Sequence, residues 1–195
     1  MNATGLSTFR PDRVAYYEAA GWRAYYDHQW PRAFWLMVRL NREEFQMPVP
    51  AAVEAALDIV RASLAFAPAD NDVPKAHKYI RQYYEKARRS AGLKADAQTL
   101  SDLEMRYWVA HRELALERIR QPDKDNLGPM VDALTDLHAA LFEVSPQAAR
   151  RSAELRALAA KTVDRITGRY STDVMGDWRQ VEAYLQQAYR AVLEH

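Results

Sequence analysis

Apolar residues along this chain recur every three or four positions and rarely at alternate positions. That spacing is typical of helices with one buried face, whereas half-buried strands alternate apolar and polar residues. Ala, Leu, Arg, Glu and Gln are frequent and β-branched residues are sparse, a composition that also favours helix. The 6 glycines and 9 prolines punctuate this pattern at intervals. The sequence therefore predicts an all-α protein without a β-sheet.

Residues that commonly begin or end helices divide the pattern into eight segments. Pro11 and Pro146 suit the first position of a helix, Asp72 and Ser145 suit its N-cap, and Gly92 suits its end. The predicted helices span about residues 11–28, 30–45, 51–66, 73–90, 97–120, 127–143, 146–168 and 175–192. Because the connections are short, successive helices are expected to pack as antiparallel hairpins in a bundle-like arrangement.

The length of the chain and the absence of a linker predict a single domain. A chain of 195 residues fits one domain, or at most two small ones, and no low-complexity tract interrupts it. The last three residues, Leu193, Glu194 and His195, resemble the start of an expression-tag scar and are given no functional role. The first residues lack the apolar segment of a secretory signal, so the expected location is the cytoplasm.

Charge and cysteine content argue against several classes of function. Lys and Arg number 27 against 26 Asp and Glu, which gives a formal net charge of +1. So small a net charge creates no field that would attract nucleic acid or a membrane, and neither is expected as a partner. The chain has no cysteine, which excludes disulfides, thiolate metal sites and cysteine nucleophiles.

Two predicted helices carry ionisable residues among their apolar positions. On the first helix, Glu18 falls between Val14 and Trp22 at helical spacing. On the fifth helix, Glu104 and His111 fall inside a broad apolar arc, opposite its polar strip. A buried carboxylate must find a partner or take up a proton. These three residues are therefore candidates for a functional site or for a buried polar network.

The third predicted helix is apolar on nearly all sides except for one polar stripe. Glu54, Asp58 and Arg61 form that stripe at spacing i, i+4, i+7, and Asp58 can pair with Arg61 along the helix. Such a stripe either reaches water or faces other buried polar groups. If the first, third and fifth helices are neighbours, six residues form one polar cluster: Glu18, Glu54, Asp58, Arg61, Glu104 and His111.

The predicted cluster has a structural and a functional interpretation. We favour the structural one, a buried network that fixes the register of the helices. The functional one is a pocket between the first, third and fifth helices, lined by Glu18, Arg61, Glu104 and His111. Helical metal sites commonly use Glu-x-x-His, which is absent, and Glu104 and His111 lie about 10 Å apart along the helix axis. No metal or other cofactor is expected.

The other histidines are assigned structural roles. His28 follows the first helix, where an imidazole interacts favourably with the C-terminal end of the helix dipole. His77 lies on the polar side of the fourth helix and is expected at the surface, whereas His138 faces inward between Val131 and Phe142. The sequence contains neither a glycine-rich phosphate loop nor a G-x-S-x-G motif. No catalytic residue is predicted.

Aromatic residues are concentrated in the first predicted hairpin. Those between positions 16 and 35 are Tyr16, Tyr17, Trp22, Tyr25, Tyr26, Trp30, Phe34 and Trp35. Most are expected in the core, with Trp22 and Tyr25 on the inner face of the first helix. Tyr16 and Tyr26 fall outside that face and are expected to line a groove. A partly exposed aromatic groove favours a peptide or a partner helix as its ligand.

Two functions follow from these patterns. The favoured one is a non-enzymatic protein–protein interaction or scaffold module, whose partner is another protein or a second copy in a homodimer. The alternative is a helical ligand-binding or metal-binding protein, or an enzyme, that uses the pocket between the first, third and fifth helices.

Overall fold

Eight α-helices and short connections make up nearly all of the part of the chain that a computed structural model describes, residues 6, 9–120 and 126–194. The helices are α1 Pro11–Tyr26, α2 Trp30–Glu44, α3 Val49–Phe66, α4 Val73–Ala91, α5 Ala97–Arg120, α6 Gly128–Phe142, α7 Pro146–Thr167 and α8 Val174–Leu193. No strand occurs in these described residues. The predicted all-α class is confirmed, and each predicted helix is found close to its expected bounds.

Local hydrogen bonds and backbone angles explain why helices begin and end where the sequence indicated. The Asp72 carboxylate accepts a bond from the backbone N–H of Lys75 at 2.9 Å and caps α4. Gly92 ends the same helix with a φ of 70°, a left-handed conformation that glycine adopts without strain. The Ser145 hydroxyl caps α7 by accepting from the backbone N–H of Ala148 at 3.2 Å.

Two sequence features lie outside the described residues. One is Gln121-Pro122, which directly follows the predicted fifth helix and whose proline is expected to stop it; α5 is described as far as Arg120. The other is His195 of the expected tag scar.

The fold divides into two compact units, Met1–Asp102 and Leu103–His195. Unit 1 contains α1 to α4 and the start of α5, and unit 2 contains the rest of α5 with α6 to α8. The prediction of a single domain stays a prediction.

In unit 1, α1 to α4 pack against one another in chain order. The start of α1 lies beside the end of α2, since Arg13 donates to Glu43 at 3.4 Å, so this pair is antiparallel. Buried Asn41 of α2 donates to the Ala52 carbonyl of α3 at 3.4 Å and accepts from the Tyr83 hydroxyl of α4 at 3.2 Å. One amide side chain thus connects three helices and satisfies its buried polar atoms.

In unit 2, α6, α7 and α8 pack in chain order around an apolar core. Its fully buried side chains include Met130, Leu134, Val181 and Leu185. Polar contacts join the same helices. Arg165 of α7 pairs with Asp177 of α8, and Arg150 of α7 donates to Asp132 of α6 at 2.7 Å.

Candidate functional site

The polar stripe of α3 contains both exposed and buried side chains. Asp58 is buried, with its side chain 4% exposed, and receives a hydrogen bond from Lys86 Nζ of α4 at 2.6 Å. Arg61 pairs with Asp58 at 3.6 Å, as predicted, but its side chain is 54% exposed. Glu54 is exposed. Glu54 and Arg61 thus reach water, whereas Asp58 faces a buried polar partner, so each of the two interpretations holds for part of the stripe. Asp58, at its centre, links α3 to α4.

Glu18 lies on the buried side of α1, as the helical spacing predicted. It is 6% exposed and is not free of partners. It belongs to unit 1 together with Glu54, Asp58 and Arg61, whereas Glu104 and His111 belong to unit 2. The joining of these six residues into one cluster therefore stays a prediction.

His111 of α5 contacts a carboxylate from α7. Its Nε2 lies 3.0 Å from Asp164 Oδ1, and Arg118 donates to the other oxygen of Asp164 at 2.5 Å. The Tyr107 ring stacks parallel to the imidazole, with centroids 5.9 Å apart. Glu104, two turns earlier, accepts a bond from the indole N–H of Trp108 at 2.7 Å. Glu104 and His111 thus have different partners within unit 2.

The cluster of His111, Asp164 and Arg118 places a base, a carboxylate and a guanidinium together. The three side chains are 26%, 17% and 14% exposed, respectively. Arg118 Nη2 is buried and has no hydrogen-bond partner among the described residues. The Asp164 carboxylate, held by an arginine and an imidazole, can fix α5 on α7. The remaining N–H groups of the Arg118 guanidinium can donate to a further acceptor. Among the described residues, no group of three His, Asp or Glu side chains could hold a metal ion.

His138 and Ser152 form a second polar contact in unit 2, inside the core. His138 is 5% exposed, and its Nδ1 lies 2.9 Å from the Ser152 hydroxyl of α7. Burial, with a smaller contribution from the nearby positive charge of Arg156, lowers the pKa of His138 to about 3. The imidazole is therefore neutral in the folded chain at ordinary pH.

His77 is partly exposed on α4, with 27% of its side chain accessible, and it has partners on the next helix. Its Nε2 lies 2.7 Å from Asp102 Oδ1 and 3.2 Å from the Ser101 hydroxyl, both at the start of α5. The pattern of α4 gives the direction of the His77 side chain but not the helix beside it, so these two partners were not predicted.

Five large aromatic side chains of the α1–α2 hairpin are exposed, more than the sequence pattern indicated. They are Tyr16 at 46%, Tyr25 at 39%, Tyr26 at 42%, Trp30 at 52% and Trp35 at 56%. The predicted exposure of Tyr16 and Tyr26 is confirmed. The inward placement of Tyr25 was wrong, since its ring packs edge-to-face on Tyr26 and Trp30, each 5.2 Å away, at the end of the hairpin.

Comparisons with known proteins give no relative from which a function could be inferred: no family model, no curated protein and no solved structure matches the chain. Within the described residues, every helix is too short or too polar to cross a membrane.

Proposed function

We propose that this chain is a non-enzymatic helical module that acts by protein–protein contact through the α1–α2 hairpin. The observation that carries the proposal is the exposure of Tyr16, Tyr25, Tyr26, Trp30 and Trp35 within one hairpin. The rings of Tyr25, Tyr26 and Trp30 contact one another through Tyr25 and form one group, and grouped apolar surface is typical of interaction sites, whereas single exposed apolar residues are ordinary.

Tyrosine and tryptophan are the side chains that most often anchor an interface. Each presents a large rigid surface and loses little conformational freedom on binding. Trp30 and Trp35 are more than half exposed and lie on one helix, which makes them the candidate anchors. The partner is another protein or a second copy of the chain, and a cytoplasmic location belongs to the same proposal.

The proposal can be tested with the double variant Trp30→Ala/Trp35→Ala. Cross-linking mass spectrometry in the native cell, combined with sedimentation velocity of the purified chain, should place partner contacts within residues 16–35. The double variant should lose those cross-links, or dissociate if the wild type is a dimer. The matched control is Tyr170→Ala/Met175→Ala, which removes two side chains that are 61% and 49% exposed in unit 2.

The control variant should keep the contacts of the wild type. A monomeric wild type whose cross-links all lie outside the hairpin would contradict the proposal, as would equal losses in the two double variants.

A ligand-binding function is a second candidate, favoured by the buried Nη2 of Arg118. An unpaired buried guanidinium N–H is unfavourable by about 1–3 kcal/mol, which a bound carboxylate or phosphate oxygen would relieve. Thermal unfolding with inorganic phosphate, acetate and citrate tests this idea. Stabilisation that is lost in Arg118→Gln would support it, and an unchanged midpoint with all three anions would count against it.

A further inference from the structure

The exposed face of α2 is strongly one-sided in charge. Its exposed positions after the first two residues are Arg32, Trp35, Arg39 and Arg42, a set that we call the arginine face. They follow one another at three and four positions and therefore form a single row along the helix. No carboxylate occupies an exposed position of α2, since Glu44 is buried and the Glu43 side chain is 17% exposed and paired with Arg13.

Two of these arginines are without partners among the described residues. Arg39 and Arg42 form no hydrogen bond or ion pair there, whereas Arg32 donates to the Gln29 side chain at 3.1 Å. Trp35 lies in the same row, between Arg32 and Arg39, and is 56% exposed. The face therefore offers two uncompensated guanidinium groups beside an exposed indole ring.

We propose that the arginine face binds an acidic helical segment of a partner protein. The segment would carry carboxylates one helical turn apart, to receive bidentate bonds from Arg39 and Arg42, and an apolar side chain that packs on Trp35. Arg32 to Arg42 spans about 15 Å along α2, so about three turns of a partner helix would cover it. This inference rests on the proposed function and names the chemistry of the partner.

A second copy of the chain fits this face less well. A two-fold symmetric contact centred on this face would place the two rows of arginine opposite each other. Like charges placed opposite one another in an interface are unfavourable. The charge of the face therefore favours a different, acidic protein.

Nucleic acid and membranes also fit less well. The row holds only three arginines, which is few for a phosphate backbone, because affinity for nucleic acid grows with the number of phosphates that are neutralised. Insertion into a membrane surface requires an apolar helix face, and the apolar face of α2 packs against α1 and α3.

A fluorescein-labelled synthetic peptide provides the test. It would be about 18 residues long, with glutamates three and four positions apart on one face and a leucine between them. A second peptide would carry lysine in place of every glutamate. Fluorescence anisotropy should show saturable binding of the acidic peptide to the full chain, weaker at higher salt, and no binding of the lysine peptide.

Charge variants of the full chain identify the surface. Arg39→Glu/Arg42→Glu should weaken binding of the acidic peptide by about tenfold, because two favourable pairs are lost and two repulsions are added. The milder variant Arg39→Gln/Arg42→Gln should weaken peptide binding by a smaller factor. Because it introduces no new charge, it is less prone to misfold and so checks that the weakening comes from the lost arginines. The matched control is Arg88→Glu/Arg89→Glu, which reverses two exposed arginines on α4 and should leave the affinity nearly unchanged.

Several results would overturn the inference. These are equal weakening by the α4 control, equal binding of the two peptides, and tighter binding of oligo-deoxythymidine or phosphatidylserine vesicles than of the acidic peptide. Absence of peptide binding would also overturn it. In that case, partner contacts that still depend on Trp30 and Trp35 would leave the proposed function intact, and their absence would remove both.

Discussion

His138 connects the stability of unit 2 to pH through a single buried ring. Its pKa is lowered from 6.5 to about 3 by burial, with a smaller contribution from Arg156. The unfolded chain therefore binds a proton at this residue below about pH 6.5, while the folded chain does so only near pH 3. The stability that His138 contributes is complete above pH 6.5 and is lost as the pH falls towards 3.

We expect the free energy of unfolding to fall by up to about 1.4 kcal/mol per pH unit from this residue as the medium is acidified. His138→Gln keeps a hydrogen-bonding side chain near Ser152 but cannot take up a proton, so it should remove that part of the slope. Urea unfolding at steps of about one pH unit from neutral to pH 4 measures it. His28→Gln, which removes an exposed imidazole, is the control. An equal loss of slope in both variants would show that His138 is not the cause.

Asp58 is a second residue whose surroundings allow a change in stability to be predicted. Its buried carboxylate is held by Lys86 at 2.6 Å and by Arg61 at 3.6 Å. Asp58→Asn keeps the shape but leaves Lys86 without its charge partner, and should lower the free energy of unfolding by about 1–3 kcal/mol. Urea unfolding at neutral pH measures the change.

The control for Asp58 lies one turn earlier on the same helix. Glu54→Gln removes an exposed carboxylate and should change stability by less than about 0.5 kcal/mol. Replacing both partners, in Asp58→Asn/Lys86→Met, should restore part of the loss because no buried charge is left unpaired. If Glu54→Gln were as destabilising as Asp58→Asn, the paired burial of Asp58 would not be the reason.

For individual residues, helical spacing predicted burial better than it predicted partners. It placed Glu18 and His138 on buried helix faces, and both are buried. It did not indicate that His111 meets Asp164, which lies 53 positions later in the chain. A partner on a distant helix leaves no periodic signal, because the pattern within one helix carries no information about which helix lies opposite.

For whole helices, the sequence was most informative where the cause is local. Asp72, Ser145 and Gly92 stop or start helices through bonds and backbone angles within a few residues, and all three were predicted. Tyr25 was misplaced because it lies in the last turn of α1, where the hairpin ends and its ring packs on Tyr26 and Trp30 instead of in the core. Spacing alone does not show how far along a helix its neighbour extends.

Two glycines of unit 1 should respond in opposite directions to the same substitution. Gly21 lies within α1, and a Cβ there would meet Leu36 at an ordinary 3.8 Å, so Gly21→Ala should stabilise by about 0.5–1 kcal/mol. Gly92 ends α4 at a φ of 70°, a backbone conformation that is strained for alanine. Gly92→Ala should therefore lower the free energy of unfolding by about 1 kcal/mol, although the added Cβ would meet no neighbouring atom within 4 Å. Thermal unfolding compares them, and each is the control for the other. Changes of the same sign would contradict this account of the two positions.

At the level of the whole molecule, net charge is a poor guide to surface chemistry. The formal charge of +1 argues against an anionic partner when it is taken as an average over 195 residues. The exposed face of α2 nevertheless presents three arginines and no carboxylate. The difference arises because acidic residues such as Asp58 on α3 and Glu43 on α2 are held in ion pairs with Lys86 and Arg13, so they do not offset the exposed arginines of α2 although a sum over the chain counts them.

The division into two units raises the question of whether they unfold together. α5 is continuous from Ala97 to Arg120, with buried Leu100 in the part that belongs to unit 1 and buried Leu114 in the part that belongs to unit 2. If either unit unfolds, α5 must lose packing along part of its length. Because helix formation is cooperative along the chain, this loss should also destabilise the part of α5 that packs in the other unit. We therefore expect a single cooperative transition, as a single domain requires.

A core substitution in unit 2 tests this expectation through its effect on unit 1. Leu134 of α6 is fully buried, so Leu134→Ala should lower the global free energy of unfolding by about 2–5 kcal/mol. Hydrogen exchange followed by mass spectrometry should then show the same decrease for the slowest amides of α4 and of α7, because those amides exchange only when the whole chain unfolds. Leu64→Ala, at a side chain that is 70% exposed on α3, should change neither helix. A decrease confined to α6–α8 would instead mean that each unit unfolds on its own and that the chain comprises two domains joined by α5.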